Sequence, residues 1–503
     1  MPSPVDAVLS TLENAQRQSI ARLIDWLKIP SISTDPAYKP QVRQAADWAA
    51  AQLRELGFKV DVLDTGKPAG AGHPVVLATI APAPTYKGAH VLFYGHYDVQ
   101  PVDPVDLWES PPFEPVIKDA SGKKMSVEEA AADMASPATA AHPSPALPSA
   151  GRGARIVARG AVDDKGQVMM FIEACRAWKQ ETGHATGGAA FTVLLEGEEE
   201  SGSANLEPFV AAHKAALSKC NVVLISDTGM LGRDRPAITY GVRGLTYTEI
   251  TLHAANQDLH SGLWGGRAPN PNNELAKVLA QLWDSKRRVT IPGFYDDVRE
   301  LTKGEREAWK KLGVSAAEGL AKIGLPRAAD IGEEGYTATE REWARPTAEI
   351  NGIWGGYTGK GAKTVIPAFA SAKVSFRLVA DQDPAKITQM FFEWLKERTP
   401  PGCRWELSDH HGGFGVTVPT DSPLLAAAAK AIERASGKKP DLIKSGGSIP
   451  VAGMLKSMLG LDTIFMGFGL EDDRVHSPNE KFELACFRMG ARSHAIFIDE
   501  LTK

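Results

Sequence analysis

The stretch that most constrains this chain is Ala190 to Ser203, AFTVLLEGEEESGS. It opens with Phe191 to Leu195, an apolar, partly β-branched run with the length of a buried strand. It then delivers four carboxylates in quick succession, Glu196 and Glu198 to Glu200, before a Ser-Gly turn. Like charges packed this closely do not all stay ionised unless something positive sits among them. A charge run by itself usually marks a solvated loop. A buried strand that ends in such a knot fits a second arrangement, in which the carboxylates share a cation.

The rest of the chain repeats the pattern. HVLFYGHYDVQP places Gly95, His96 and Asp98 at the end of an apolar strand over Val91 to Tyr94. RIVARGAVDDKG brings Asp163 and Asp164 ahead of a helix starting near Gln167, NVVLISD ends in Asp227, and DTIFMGF leads to His476 ahead of a last helix. The first third alternates helices (Ser19 to Leu27, Val42 to Leu56) with strands (KVDVL, PVVLATIA), and Gly57 stops the second helix. Alternating elements with continuously apolar strands predict an α/β sheet covered on both faces. Ligands of such sheets sit at the carboxyl ends of the strands.

A lone His after a strand is usually structural, and a lone Asp before a helix is usually a cap. Five segments that each supply His, Asp or Glu, with no Cys among them, point instead to a metal site. Two His and three carboxylates exceed the needs of one tetrahedral zinc with an open position. They suit two ions about 3.5–4 Å apart that share a carboxylate and a hydroxide. Adjacent residues of an extended loop point different ways, so one glutamate of the knot is left to face the water as general base, then general acid.

Composition removes other classes. A chain of 503 residues exceeds one core and predicts two domains. A net charge of −5 gives no electrostatic case for nucleic acid or an anionic membrane. No apolar run reaches the roughly 20 residues of a membrane helix. The N-terminal MPSPVDAVLS lacks the basic and apolar regions of a secretory signal. Cys175, Cys220, Cys403 and Cys486 lie far apart and fit a reducing compartment, so a cytoplasmic protein is expected.

The chain resembles the di-zinc aminoacylase/carnosinase family of metallopeptidases, in its cytosolic dipeptidase branch. GHYDVQP, ARGAVDDKG, EGEEESGS, ISDTG, DLHSGLWGG, GAKTVIP, GGSIPVAG and HSPNEKF carry the resemblance in family order over nearly the whole chain. It implies that His96 and Asp227 bind one metal, Glu200 and His476 the other, that Asp163 bridges the two, and that the Asp163–Asp164 bond is cis. It implies Glu199 as general base and Asp98 as the carboxylate that orients His96. His260 is implied to reach the partner subunit's site and stabilise the oxyanion. Arg377 is implied to hold the substrate carboxylate, with His411, Gly447 and Ser448 lining the pocket. The implied ions are two divalent cations per chain, Zn²⁺ first, with Mn²⁺ and Co²⁺ equally suited to N/O ligands.

The implied reaction is hydrolysis of amide bonds in dipeptides or small peptides by a metal-bridging hydroxide. An N-acyl amino acid deacylase with the same machinery is the alternative, and an inactive metal-binding scaffold is a third class, disfavoured because each catalytic position is filled. The implied fold is a discontinuous di-metal α/β domain, a mixed sheet flanked by helices over 1–240 and 412–503. A ferredoxin-like α+β lid over 241–411 interrupts it and forms a homodimer. The lid reads βαββαβ, with an added helical stretch over Leu301 to Pro346. Residues 120–155 are an insertion rich in Pro, Ala and Ser, expected to be a mobile surface excursion with a short helix at Val127 to Met134.

Overall fold

A computed structural model describes residues 4–134 and 153–503, apart from the side chain of His411. The chain divides into two compact units. Unit 1 comprises Met1–Tyr240, Val418–Ile443 and Leu455–Lys503, and unit 2 comprises Gly241–Thr417 and Lys444–Met454.

The strands, in chain order, begin with β1 (Lys59–Leu63), β2 (Val75–Ile80), β3 (Val91–His96) and β4 (Val116–Lys118). They continue with β5 (Lys124–Met125), β6 (Arg155–Val157), β7 (Phe191–Glu196) and β8 (Val222–Ile225). Unit 2 supplies β9 (Gly244–His253), β10 (Thr347–Gly355), β11 (Phe369–Leu378) and β12 (Arg404–Gly413). Unit 1 resumes with β13 (Asp462–Phe465) and β14 (Lys481–Glu483).

Among the described residues the main sheet has nine strands, the first six of which, all in unit 1, run β1-β2-β7-β3-β8-β13. β7, β3, β8 and β13 are parallel, while β1 and β2 are antiparallel additions. Every residue of β3, β7 and β8 is buried, as expected of strands covered on both faces. The helices Lys165–Thr182 and Leu484–Leu501 are buried along most of their length. Phe171 of the first stacks on Phe93 of β3 at 4.0 Å between centroids. The sheets flanked by helices make this a mixed α/β fold. Gly95 explains itself here: a Cβ at this position would lie 2.5 Å from Val168 Cγ2 and 2.8 Å from Asp164 Oδ2. Only glycine lets that helix start so close to β3.

One expectation fails. Asp163 does not follow a strand of the main sheet, because β6 belongs to a separate sheet in the order β14-β6-β4-β5. Three apolar residues read the same in either sheet, and only long-range pairing separates them. The pairing of β6 with β14 is antiparallel, with Val157 opposite Lys481. It brings the loop after β6, with Asp163, beside the loop before β14, with His476.

In unit 2, β9 to β12 and the helices Pro271–Leu279 and Pro384–Glu397 follow the order βαββαβ. The sheet runs β10-β11-β9-β12, antiparallel throughout. β9 alternates buried and half-buried residues, the signature of a sheet with one covered face. Ile250, Leu252, Leu275, Phe376, Phe391 and Trp394 form the core between sheet and helices. Asn270 and Asp383 cap the two helices, each followed by Pro. Three further helices, Lys303–Leu312, Ala316–Lys322 and Ala338–Ala344, occupy the added stretch.

Of the 120–155 insertion, residues 135–152 lie outside the described residues. The short helix Val127–Met134 is present. Ala130 and Met134 are buried and Lys124–Met125 pairs with β4, so the first part of the insertion packs rather than lying free on the surface.

Candidate metal centre

Parallel pairing sets His96 opposite Glu196 at the carboxyl ends of β3 and β7. The 3₁₀ turn Glu199–Ser201 then carries Glu199 and Glu200 past the sheet edge. Asp227 comes two residues after β8. The described residues hold two groups of three donors, His96–Asp163–Asp227 and Asp163–Glu200–His476, each with its ligand atoms within 4.8 Å of one another. Asp163 belongs to both. Its Oδ1 lies 3.1 Å from His96 Nε2 and its Oδ2 lies 3.0 Å from His476 Nε2. Asp227 Oδ2 is 3.8 Å from His96 Nε2, and Glu200 Oε2 is 3.3 Å from His476 Nε2. The Asp163–Asp164 peptide bond is cis.

These residues fit metal ions. Two ligands bound to one tetrahedral ion at about 2.0–2.2 Å stand roughly 3.3–3.6 Å apart, close to the 3.0–3.8 Å seen within the two groups. His96 Nε2 and Glu200 Oε1 are buried without a hydrogen-bond partner, which is costly unless something else satisfies them.

The electrostatics say the same. Burial pushes the Asp227 carboxyl up, and neighbouring Asp163 adds to it, reaching about 7. Burial also pushes Asp163 up, but the two histidines outweigh it and hold it well below the usual carboxylate range. Hydrogen bonds to Asp163 and Glu200 raise His476 to about 10. Burial lowers His96, yet Asp163 and Asp98 more than reverse it and hold the imidazole well above the usual range. Glu199 belongs to neither donor group. Burial lifts it far above the ordinary value, with His96 opposing and the charges of Asp227, Glu200 and Asp163 adding. Four carboxylates around two imidazoles lack positive charge, and divalent ions supply it.

The surrounding hydrogen bonds hold the donors in place. His96 Nδ1 hydrogen-bonds with the Asp98 backbone carbonyl at 3.2 Å and lies 3.3 Å from Asp98 Oδ1, and the other side-chain oxygen of Asp98 accepts from the Glu200 N–H at 3.1 Å. One carboxylate thus steadies donors of both groups. Residues without an expected part in holding the donors do similar work. Gln100 Nε2 donates to Glu200 Oε2 at 2.7 Å, and Asp164 Oδ2 accepts from the His96 N–H at 3.1 Å. Gln100 sits inside GHYDVQP, so the motif was the available signal; its partner a hundred residues away was not visible.

Other candidates lie in unit 2. Arg377, on β11, donates to Ser448 Oγ at 2.8 Å. Gly447 accepts from the Arg243 N–H at 3.1 Å and donates to Ser445 Oγ at 3.1 Å. Arg377, Gly447 and Ser448 are therefore brought together. His411 lies on β12, but its side chain is outside the described residues. His260 is exposed, and its Nδ1 accepts from the Gly262 N–H at 3.0 Å. Leu263 and Trp264, just after it, are also exposed.

The profile of Peptidase family M20/M25/M40 matches residues 137–500, and the chain belongs to that family of metal-dependent hydrolases. It is 30% identical over 516 aligned residues to the Cys-Gly metallodipeptidase DUG1 of Saccharomyces cerevisiae, covering 99% of this chain and 98% of that one. Its fold matches human carnosine dipeptidase 1 with a TM-score of 0.78 at 28% identity, covering 100% of this chain and 99% of that one. It matches the metallo-carboxypeptidase Sso-CP2 of Sulfolobus solfataricus with a TM-score of 0.76 at 31% identity, covering 96% and 99%. The family resemblance read from the motifs is borne out.

Proposed function

We propose that this chain is a di-metal dipeptidase that cleaves amide bonds of dipeptides and other small peptides bearing a free carboxylate. The observation that carries the proposal is Asp163, whose two oxygens face two separate donor groups, with Glu199 left over beside them. His96, Asp163 and Asp227 would hold one divalent ion, and Asp163, Glu200 and His476 the other, Zn²⁺ first with Mn²⁺ or Co²⁺ as substitutes. When bound, such a pair supplies Lewis-acid polarisation of the scissile carbonyl and a water of lowered pKa. Glu199 takes the proton from the attacking water and gives it to the leaving amine. Its high proton affinity in this acidic pocket suits the second of those steps. Asp98 keeps the His96 ring turned towards the donors.

In the same reading unit 2 is a lid and dimerisation domain. Arg377, steadied by Ser448, offers its guanidinium to the substrate carboxylate. His260 stabilises the oxyanion in the partner subunit's site, and its exposed position leaves it free for that. Homodimerisation is supported by β10, an edge strand with exposed Ile353 and Trp354. Among the described residues no helix is long and apolar enough to cross a membrane. The four cysteines are unpaired, as in a reducing cytoplasm.

The test is a panel of dipeptides and N-acyl amino acids offered to the metal-stripped and reconstituted protein. Turnover of dipeptides with two ions per chain supports the reading. Turnover of acyl amino acids alone would make it a deacylase, and full activity with one ion per chain would remove the paired centre.

A further inference from the structure

Glu480 is fully buried and Arg159 nearly so, and neither has a part in the chemistry above. Glu480 Oε1 accepts from the N–H groups of Val162 at 2.9 Å and Asp163 at 3.1 Å. Its Oε2 accepts from the Gly160 N–H at 3.0 Å and from Arg159 Nη1 at 2.8 Å. The second arm of that guanidinium, Nη2, donates to the Pro101 carbonyl at 2.9 Å.

These bonds join three loops. One carries His96 and Asp98 and ends at Pro101. The second carries Asp163. The third carries His476 and ends at Glu480 itself. In the third loop Arg474, His476 and Asn479 all have positive φ, at 58°, 59° and 63°. Such backbone persists only where its surroundings over-determine it. A buried ion pair is a poor source of net stability, because desolvation consumes most of its attraction. This one satisfies three backbone N–H groups of a single loop, which an apolar pair of the same volume leaves orphaned.

We propose that the Arg159–Glu480 pair is a positioning element for the metal centre, fixing the loops of His96, Asp163 and His476 in the binding arrangement while the protein is metal-free. The inference rests on the metal-centre reading above. Residues that orient ligands typically govern metal affinity by about 10–100-fold, because a displaced ligand binds poorly even when it is present.

The test is competition for Zn²⁺ between the intact protein and a chromophoric chelator. Glu480→Gln and Arg159→Lys should weaken Zn²⁺ binding by at least about tenfold. The control is Glu173→Gln. Glu173 is also buried and bound by arginine, at 2.7 Å from Arg22 Nε, and among the described residues its polar partners are Ser19, Arg22 and Arg176, none of them a candidate ligand. It should lower the melting temperature yet leave Zn²⁺ affinity within about twofold of the parent, unlike a ligand-orienting residue. His476→Ala runs alongside. If it weakens Zn²⁺ binding while Glu480→Gln and Arg159→Lys do not, the positioning role is overturned and the metal centre stands. If His476→Ala also leaves binding unchanged, the centre itself falls, and the inference with it. Should the Glu480 and Arg159 variants not fold, amide exchange of the metal-free parent decides. Slow exchange at Gly160, Val162 and Asp163 supports the inference, and exchange at the rate of an exposed loop overturns it.

Discussion

His96 ends β3 and His260 ends the two-residue strand Leu259–His260, yet the protein holds them in opposite ways. His96 is fully buried, with Asp98 on one nitrogen and Asp163 and Asp227 near the other. His260 is exposed, and among the described residues its ring is held only by the Gly262 N–H of its own turn. A metal ligand has to be in place before the ion binds, because its affinity depends on the geometry the chain imposes. An oxyanion donor is needed only once substrate and donor have come together. The buried histidine is positioned by its own fold; in the proposed reading the exposed one is left for a dimer to position.

The sharpest test of the buried half is Glu199→Gln. It should cost about 10²–10⁴-fold in turnover while elemental analysis still finds both ions, since Glu199 lies in neither donor group. Loss of an ion in this variant, with full metal in Glu200→Gln, would reverse the roles of the two glutamates.

His260→Ala tests the exposed half. Single oxyanion donors are worth about 10²–10³-fold, so turnover should fall by that much with metal content unchanged. Mixing His260→Ala subunits with Glu199→Gln subunits then separates trans from cis action. In trans, each mixed dimer has one intact site and activity returns. Verified mixed dimers without recovery would show that His260 serves its own chain.

Asp98→Asn should act on metal before it acts on rate. The amide keeps the shape but loses the charge beside the His96 ring, and about 10–100-fold in affinity is expected, read by chelator competition. A His260→Ala protein in the same assay should match the parent. Equal losses in the two variants would erase the contrast.

The smallest effect is in pH. Asp227 holds its proton up to about 7 in the metal-free fold, whereas an unfolded Asp releases it near about 3.9. Between those values the folded chain carries the extra proton, so metal-free stability falls as pH rises. His476, raised to about 10, acts in the same direction: its contribution is full below its unfolded value of about 6.5 and is lost as pH rises through the folded one. Bound ions replace those protons. The gap in melting temperature between loaded and metal-free protein should therefore widen from pH 5 to 8; a narrowing gap would contradict the arrangement of charges.

Much of this was legible along the chain. The unbroken apolar runs of β3, β7 and β8 and the alternation of β9 gave both sheet types, since burial on two faces or one writes itself into the residue period. The donors were found because each comes at or near the end of a short apolar run, His476 at the greatest remove. What the sequence hid was pairing. Arg155–Val157 looked like another strand of the main sheet, and only its register with Lys481–Glu483 shows otherwise. Glu480 stands within HSPNEKF, but one polar letter does not reveal that its partners lie some three hundred residues earlier.

That same β6–β14 register bears on how the protein is made. Four of the five donors have left the ribosome once Asp227 has emerged, but His476 follows only after all of Gly241–Thr417 has been synthesised. At usual elongation rates of about 5–20 residues per second, that delay is on the order of ten to fifty seconds. Throughout it the nascent chain lacks His476 and also Glu480, which accepts from the Val162 and Asp163 N–H groups, so in the proposed reading both donor groups wait for the same late segment.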